Sequence, residues 1–220
     1  NTLVCLPTGL GKTFIASATL WIYFTWFPAG KCIFFAPMKP LVQQQAIATL
    51  HTTSLLINDI ALVTGEIAPA KRQILWKEKR IFFSTPQVFI SDCTSGHLQP
   101  ESFVLLIFDE AHRATGNYAY SSILDYFHNS GLYPRVIGLS ATPGRDTKSI
   151  NDVIAKLRIE KLEIRSLSHP EVKKYQFEKR LYPLIVPTNN YCEKAETDLM
   201  SVYISILKHL VQHGVLYTSD

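Results

Sequence analysis

Short apolar runs alternate with longer segments of mixed polarity along the first two thirds of the chain. The runs are rich in Val, Ile, Leu and Phe and are mostly continuous, whereas a strand with one solvent-exposed face would alternate between apolar and polar residues. Continuous runs are typical of strands buried on both faces of a parallel sheet. The pattern predicts strands at Leu3–Leu6, Cys32–Ala36, Ile60–Val63, Ile81–Ser84, Val104–Phe108 and Val136–Leu139.

The segments that follow these strands have helical character. A regular alternation of strand and helix favours one α/β domain with a doubly wound, mainly parallel sheet and helices on both faces. In such a domain ligands bind at the carboxyl ends of the strands. Helices are predicted at Lys12–Trp26, Leu41–Leu50, Ala70–Glu78, Pro86–Asp92, Tyr118–Phe127 and Lys148–Leu157.

The pattern changes after residue 158. A short strand is predicted at Leu162–Ser166, followed by a charged connector and another apolar run at Leu181–Val186. Helical spacing returns over Glu193–Gln212, with one apolar side that we expect to pack on something outside this chain. The chain begins inside a predicted strand and without Met, so we expect it to be part of a longer protein.

Composition excludes several classes of protein. Apolar residues make up 47% and charged residues 18%, which is enough to bury a core and excludes disorder throughout. The uncharged stretch Phe14–Phe27 is shorter than the roughly 18 residues that indicate a membrane span, so a buried helix is favoured. The four cysteines are Cys5, Cys32, Cys93 and Cys192, and their spacing matches neither a zinc site nor a disulfide framework. This favours a reducing compartment.

A phosphate-binding loop is predicted between the first strand and the first helix. Glycines allow successive backbone N–H groups to turn toward a phosphate, and a helix amino terminus adds its positive end. Lys12 would reach the β and γ phosphates and Thr13 would ligate Mg²⁺. Leu6 stands where the strict pattern has glycine, so an ordinary glycine turn is the alternative. The predicted nucleotide-binding residues are Leu6, Pro7, Thr8, Gly9, Leu10, Gly11, Lys12 and Thr13.

Acidic residues follow the strand at Val104–Phe108. Asp109 would lie on the same sheet edge as the phosphate loop, where its carboxylate can hold Mg²⁺. Glu110 would orient and deprotonate an attacking water. A phosphate loop and a strand-end Asp-Glu pair in one domain together predict nucleotide hydrolysis. Ser140, Ala141 and Thr142 follow a further strand, and small hydroxyl residues there are predicted to link the nucleotide edge to a moving part.

These three motifs, in this order, resemble the superfamily 2 helicases and translocases, in which leucine at the first loop position is ordinary. The segments Ala36–Gln44, Thr64–Glu66 and Ser84–Val88 resemble that superfamily's nucleic-acid motifs. All three lie at strand ends or helix starts, where backbone N–H groups and Lys39 could hold the phosphates of a nucleic-acid strand.

Within the superfamily the chain is identified as a member of the Fanconi anaemia group M and Hef family. The resemblance lies in LPTGLGKTFIA, WFPAGK, DEAHRATGNYAY and LSATPG, and in EIRS, HPEVKKY and LIVP further along. It implies a RecA-like first motor domain over residues 1–158, truncated at its amino terminus. Residues 159–220 would then be a connector and the start of a helical insert domain.

The resemblance also implies a function, that of an ATP-dependent helicase or translocase that uses Mg²⁺ and acts on forked or branched DNA in repair. It implies catalytic roles for Lys12, Asp109, Glu110 and His112, and coupling roles for Ser140, Ala141 and Thr142. The residues implied to line the DNA track are Pro37, Lys39, Thr64, Gly65, Thr85 and Pro86.

Partners and location are implied in the same way. The second motor domain of the same polypeptide would supply an arginine finger, and repair-complex proteins are further expected partners. No membrane partner is expected. The location would be the nucleus in a eukaryote and the cytoplasm otherwise.

Three alternatives remain open from the sequence. A double-stranded-RNA-activated module like that of Dicer shares the phosphate loop and the strand-end Asp-Glu pair, although the DEAHRATGNYAY stretch speaks against it. A non-hydrolysing scaffold would keep the fold, but Lys12, Thr13, Asp109 and Glu110 are intact. A restriction-type DNA translocase subunit is the third.

Overall fold

The computed structural model describes residues 1–116, 118–142, 144, 146–175, 182–184 and 189–216. The chain divides into two compact units, Asn1–Gln176 and Phe177–Asp220. The first unit contains the sheet and every residue predicted to bind a ligand. The second contains one long helix within its described residues.

The first unit is built on a parallel sheet of seven strands in the order β3-β4-β2-β5-β6-β1-β7. This confirms the predicted α/β class, and the strand bounds differ from the predicted ones by at most two residues. The strands are β1 (Thr2–Cys5), β2 (Lys31–Phe35), β3 (Ile60–Val63), β4 (Ile81–Ser84), β5 (Phe103–Phe108), β6 (Arg135–Ser140) and β7 (Lys161–Ile164).

The predicted helices are all present. Several begin at a proline in the first turn, where the missing backbone N–H costs nothing because that group has no partner within the helix. One short helix, α7, falls inside the predicted connector and was not predicted. The helices are α1 (Lys12–Trp26), α2 (Lys39–Thr52), α3 (Pro69–Glu78), α4 (Pro86–Thr94), α5 (Ala119–Asn129), α6 (Thr147–Lys156), α7 (Pro170–Lys173) and α8 (Asn190–Gln212).

Both faces of the sheet are covered, which explains why the strands read as continuous apolar runs. Successive residues of β2 point to opposite faces, so Cys32 and Phe34 belong to one apolar cluster and Ile33 and Phe35 to the other. Helices α1 and α2 contribute to the first cluster, and α3 to α6 contribute to the second.

The prediction that Phe14–Phe27 is a buried helix needs correction. Helix α1 buries Ala16 and Leu20 against the sheet, but Phe14 is 59% exposed and Trp26 is 70% exposed. A helix that lies on one face of a sheet contacts it along a single stripe, so a continuous apolar sequence leaves apolar residues on the outer side.

The first unit extends past the domain boundary predicted at residue 158. Strand β7 pairs in parallel with β1, with Thr2 opposite Lys161 and Cys5 opposite Ile164. The backbone N–H groups of Glu160 and Lys161 both donate to the carbonyl oxygen of Asn1. The sheet is therefore completed beside β1 by Lys161–Ile164, close to the strand predicted at Leu162–Ser166.

The second unit is described mainly by α8. Its helix begins three residues before the predicted Glu193, because the Asn189 Oδ1 accepts a hydrogen bond of 2.9 Å from the Cys192 N–H and caps the first turn. Leu199, Val202 and Ile206 on the predicted apolar side are exposed. Half of the apolar run at Leu181–Val186 lies outside the described residues. None of the helices in the described part of the chain is long and apolar enough to cross a membrane.

Candidate nucleotide and nucleic-acid sites

The loops predicted to bind a nucleotide meet at the carboxyl ends of three adjacent strands. Strand β6 lies between β1, which leads into the phosphate loop, and β5, which leads into Asp109. Two strand spacings amount to about 10 Å, a span that a nucleoside triphosphate and its metal can bridge. We call Leu6–Thr13, Asp109–His112 and Ser140–Thr142 the nucleotide edge.

The phosphate loop is shaped by two glycines. Gly9 has φ +83° and Gly11 has φ +85°, left-handed values that glycine adopts without the steric penalty of a Cβ. Lys12 begins α1 directly after this turn, and its Nζ donates to the carbonyl oxygens of Leu6 at 2.8 Å and Pro7 at 3.3 Å. The ammonium group is thus folded back onto its own loop, which places a positive charge on the nucleotide edge.

Asp109 is held on every side. Its backbone N–H donates to the Phe35 carbonyl at 2.9 Å, and its carbonyl accepts a hydrogen bond of 2.6 Å from the Tyr120 hydroxyl. Its Oδ1 accepts from the Glu110 N–H at 3.0 Å, and its Oδ2 accepts from the Gln45 Nε2 at 3.3 Å. The carboxylate therefore has one fixed orientation.

Burial changes the acidity of this carboxylate. Asp109 is 8% exposed, and loss of solvation raises its pKa to about 6, although the hydrogen bond from the Glu110 N–H lowers the pKa. The positive charge of Lys12 opposes the rise in the pKa of Asp109. A bound cation would stabilise the ionised form of a buried carboxylate of this kind.

Glu110, His112 and Ser140 form a linked group. The His112 Nδ1 lies 3.3 Å from the Glu110 Oε2 and 2.9 Å from the Ser140 Oγ, and the Ser140 hydroxyl also hydrogen-bonds to the Thr142 carbonyl. Glu110 has φ 49°, a left-handed value that is strained for a residue with a side chain. The structure thus brings the predicted base Glu110 together with His112 and with two of the predicted coupling residues, Ser140 and Thr142.

The donor set of the nucleotide edge suits Mg²⁺ bound together with a nucleotide. The Thr13 hydroxyl and the Asp109 carboxylate are oxygen ligands, the kind that Mg²⁺ prefers. Within the described ranges, no group of three or more His, Cys, Asp or Glu side chains could hold a metal by itself. Mg²⁺ is commonly held by one or two carboxylates plus substrate phosphates, and the buried Gln45 Oε1 next to Asp109 has no hydrogen-bond partner among the described residues.

The residues predicted to line the DNA track lie at the carboxyl ends of β2, β3 and β4, which are neighbours in the sheet. We call these six residues the nucleic-acid edge: Pro37, Lys39, Thr64, Gly65, Thr85 and Pro86. Lys39 is the first residue of α2 and is ion-paired with Glu66. The sequence analysis did not predict this ion pair. Thr64 and Pro86 are buried, so their side chains have little surface with which to contact a ligand.

A buried ion pair that the sequence analysis missed joins the two helices that follow β3 and β4. Arg72 of α3 and Asp92 of α4 form a two-pronged pair at 2.7 and 2.5 Å, and the Trp76 Nε1 donates to the same carboxylate at 2.8 Å. The Arg72 Nη1 also donates to the Ile67 carbonyl at 2.6 Å, in the loop after Thr64. Arg72 and Trp76 stand four residues apart on a helix, a spacing that could have placed both on the buried face.

Burial and hydrogen bonding oppose each other at this pair. Burial raises the pKa of Asp92, but hydrogen bonds from Arg72 and Trp76 and the Arg72 charge outweigh it, so the net pKa lies below its usual value. The carboxylate therefore stays ionised in the folded protein.

One family profile and several known proteins are similar to this chain. A family profile described as "Type III restriction enzyme, res subunit" matches residues 1–145. The Fanconi anemia group M protein homolog of Mus musculus is 39% identical over 220 residues, which are 100% of this chain and 11% of that protein. The ATP-dependent DNA helicase mph1 of Neurospora crassa is 43% identical over 175 residues, 80% of this chain and 15% of that protein.

A solved structure is similar as well. The helicase domain of Pyrococcus furiosus Hef superposes with a TM-score of 0.77 at 36% sequence identity, covering 98% of this chain and 45% of that one. The chain therefore spans less than half the length of each of these proteins.

Proposed function

The chain belongs to the family of the type III restriction enzyme res subunit, and on that premise we propose that it is the ATP-binding first motor domain of a helicase or translocase. The Fanconi anaemia group M, Mph1 and Hef helicases are its homologues. By similarity to them, the substrate would be branched or forked DNA and the process DNA repair.

The observation that supports this proposal is the grouping of Lys12, Asp109, Glu110 and His112 at one sheet edge. Lys12 would neutralise the β and γ phosphates, and Thr13 and Asp109 would hold Mg²⁺, which supplies charge neutralisation at the phosphates when bound. The Asp109 carboxylate is buried and accepts hydrogen bonds from the Gln45 Nε2 and the Glu110 N–H, and the Tyr120 hydroxyl holds the Asp109 backbone carbonyl.

Glu110 is the proposed general base. It would take a proton from a water molecule as the water oxygen attacks the γ phosphorus and the bond to the leaving diphosphate breaks. His112 contacts both Glu110 and Ser140, so it would keep the base oriented and connect it to the loop after β6.

The nucleic-acid edge would hold one strand of DNA. Lys39, the backbone N–H groups of the loop at Thr64 and Gly65, and the helix start at Thr85 are groups that contact phosphates without reading bases. Residues 165–220 would lead to a helical insert and then to a second motor domain, whose arginine finger completes the active site. Repair proteins as partners and a nuclear location in a eukaryote belong to the same proposal.

The test uses the 220-residue chain, forked DNA, duplex RNA and ATP with Mg²⁺. We expect weak ATP·Mg²⁺ binding in titration calorimetry and very slow phosphate release, since an arginine finger contributes roughly 10³ to 10⁵ in rate in related hydrolases. Forked DNA should bind more tightly than duplex RNA in fluorescence anisotropy.

Each outcome separates the alternatives. Absence of ATP binding would favour a non-hydrolysing scaffold. Preference for duplex RNA would favour a Dicer-like module. Rapid DNA-stimulated turnover by this chain would contradict the proposal that the active site needs a second motor domain.

A further inference from the structure

Helix α2 contains three consecutive glutamines, and only one of them is buried. Gln43 and Gln44 are exposed, whereas Gln45 is 8% exposed and lies on the core-facing side of the helix. An amide on a core-facing side is unfavourable unless it is hydrogen-bonded, so its presence there calls for a partner. The core-facing residues of α2 are Val42, Gln45, Ala46 and Thr49.

The two ends of the Gln45 amide are in different situations. The Nε2 donates to the Asp109 Oδ2 at 3.3 Å. The amide must present its Nε2 and not its Oε1 to Asp109, because an ionised carboxylate only accepts hydrogen bonds. The Oε1 is buried and has no hydrogen-bond partner within the part of the chain that the structure describes. An acceptor without a donor therefore sits on the side chain that already touches Asp109.

The backbone that presents Gln45 is firmly held. Val42 and Ala46 pack in the same apolar cluster as Ala16 and Leu20 of α1. The Thr49 Oγ1 lies 2.8 Å from the Ser17 Oγ of α1, and both groups are buried. Helix α2 is thus packed against the helix that begins at the phosphate loop, and these contacts hold the backbone from which the Gln45 side chain reaches Asp109.

We propose that Gln45 positions Asp109 for Mg²⁺ and that its Oε1 accepts a hydrogen bond from a metal-bound water. This inference rests on the proposed function, because it takes Asp109 as the metal ligand. Mg²⁺ keeps several of its waters when it is bound beside phosphates, and such waters are donors, the kind of partner that the Oε1 lacks. Gln45 is a positioning residue that acts through Asp109 and not on the phosphates.

The experiment compares Gln45→Met with Gln44→Met in the 220-residue chain. Met keeps the length and helix propensity of Gln and removes both amide groups. Titration calorimetry gives the dissociation constant of ATP with saturating Mg²⁺ and again with EDTA. The Mg²⁺ effect is the dissociation constant in EDTA divided by the dissociation constant with Mg²⁺. We expect Gln45→Met to reduce this ratio about tenfold, the effect typical of losing a partner of a metal ligand.

The same titrations contain their controls. Binding of ATP in EDTA should be unchanged in Gln45→Met, because Lys12 and the loop N–H groups are intact. Gln44→Met, an exposed glutamine one residue away, should leave both constants unchanged. A wild-type chain that shows no Mg²⁺ effect would contradict the proposed function itself and not the role of Gln45.

Two results would overturn the inference. One is a wild-type Mg²⁺ effect that persists in folded Gln45→Met. The other is loss of folding in both Gln45→Met and Gln45→Asn, checked by circular dichroism, because Gln45 would then be needed for the core and not for the metal. A folded Gln45→Asn, whose amide is one methylene too short to reach Asp109, should show the same reduced ratio.

Discussion

The strands β1, β5 and β6 end in loops whose polar groups are buried or hydrogen-bonded, whereas β2, β3 and β4 end in loops whose charged groups face solvent. At the nucleotide edge, Asp109 is buried and Lys12 is folded onto backbone carbonyls. At the nucleic-acid edge, Lys39 and Glu66 form an exposed ion pair. One sheet thus presents a preorganised half and an adaptable half.

The difference follows from the ligand that each half would bind. A nucleotide phosphate is small and has fixed geometry, so a rigid set of hydrogen-bond donors at one place gives the most favourable binding free energy. A DNA backbone is long and is bound by charges that release counterions, which requires exposed cations more than exact placement. The buried Arg72–Asp92 pair supplies rigidity behind the nucleic-acid edge instead of within it.

The largest expected effect comes from the nucleotide edge. Glu110→Gln should bind ATP normally but reduce hydrolysis by about 10²–10⁴-fold, because the amide cannot accept the proton of the attacking water. The measurement is single-turnover phosphate release in a protein that contains both motor domains. DNA binding should be unaffected, and hydrolysis at the parental rate would exclude Glu110 as the base.

Removing Arg72 should cost stability. Arg72→Met leaves the Asp92 carboxylate buried without its partner, a change that typically costs about 3–5 kcal/mol of unfolding free energy. Urea unfolding of the 220-residue chain measures it, and Lys71→Met, an exposed neighbour on α3, is the matched control. Equal stability of the two variants would show that the pair contributes little.

The same pair predicts a pH dependence. The pKa of Asp92 is lowered in the folded protein, so its contribution to stability is present above the unfolded value of about 3.9 and is lost as the pH falls through the folded value. In Arg72→Met the carboxylate is buried without a cation, which raises its pKa. The stability difference between wild type and variant should therefore shrink on acidification from pH 7 to pH 4, as followed by urea unfolding.

Lys12→Ala should weaken ATP binding by roughly 10- to 150-fold, the equivalent of one charged hydrogen bond of about 1.5–3 kcal/mol. It removes the loop side chain that would neutralise the β and γ phosphates. Titration calorimetry on the folded variant tests this, with Lys39→Ala as the control at the other edge. Wild-type affinity in Lys12→Ala would overturn the assignment of the loop.

The smallest effect is expected from Lys39→Ala. Loss of one phosphate contact should weaken binding about equally for all DNA sequences and reduce the salt slope by about 1 or less, because Glu66 already competes for this ammonium. Glu66→Gln should strengthen binding for the same reason. Anisotropy titrations at several salt concentrations measure both, and a sequence-selective loss would contradict a phosphate contact.

These variants also test whether the two halves are separate. Changes at Lys12 and Glu110 should leave DNA affinity unchanged, and the change at Lys39 should leave ATP affinity unchanged. If Arg72→Met, at a temperature where it is folded, alters DNA binding but not ATP binding, the support behind the nucleic-acid edge is local to that edge.

Much of the candidate site was predictable because its parts are local in the chain. The turn between β1 and α1 depends on Gly9, Gly11 and Lys12, which are neighbours in sequence. Asp109 and Glu110 follow a continuous apolar run, so their place at a strand end could be inferred from the pattern alone. The roles of these residues remain predictions until the variants above are measured.

Other features had no local cause. Neighbouring residues in the sequence do not determine the outward apolar face of α1, the Lys39–Glu66 pair or the pairing of β7 with β1. Periodicity shows which side of an element is buried, but it does not show which element lies opposite.

The sequence by itself determined the alternation of strands and helices, the phosphate loop and the acidic strand end, because apolar periodicity and glycine conformations act over a few residues. Only the tertiary structure decided that β6 lies between β1 and β5, that Gln45 and Tyr120 hold Asp109, and that Arg72 and Asp92 meet. The physical reason is that hydrogen bonds between elements depend on strand order and helix placement. Those are set by packing of the whole core and not by any one segment.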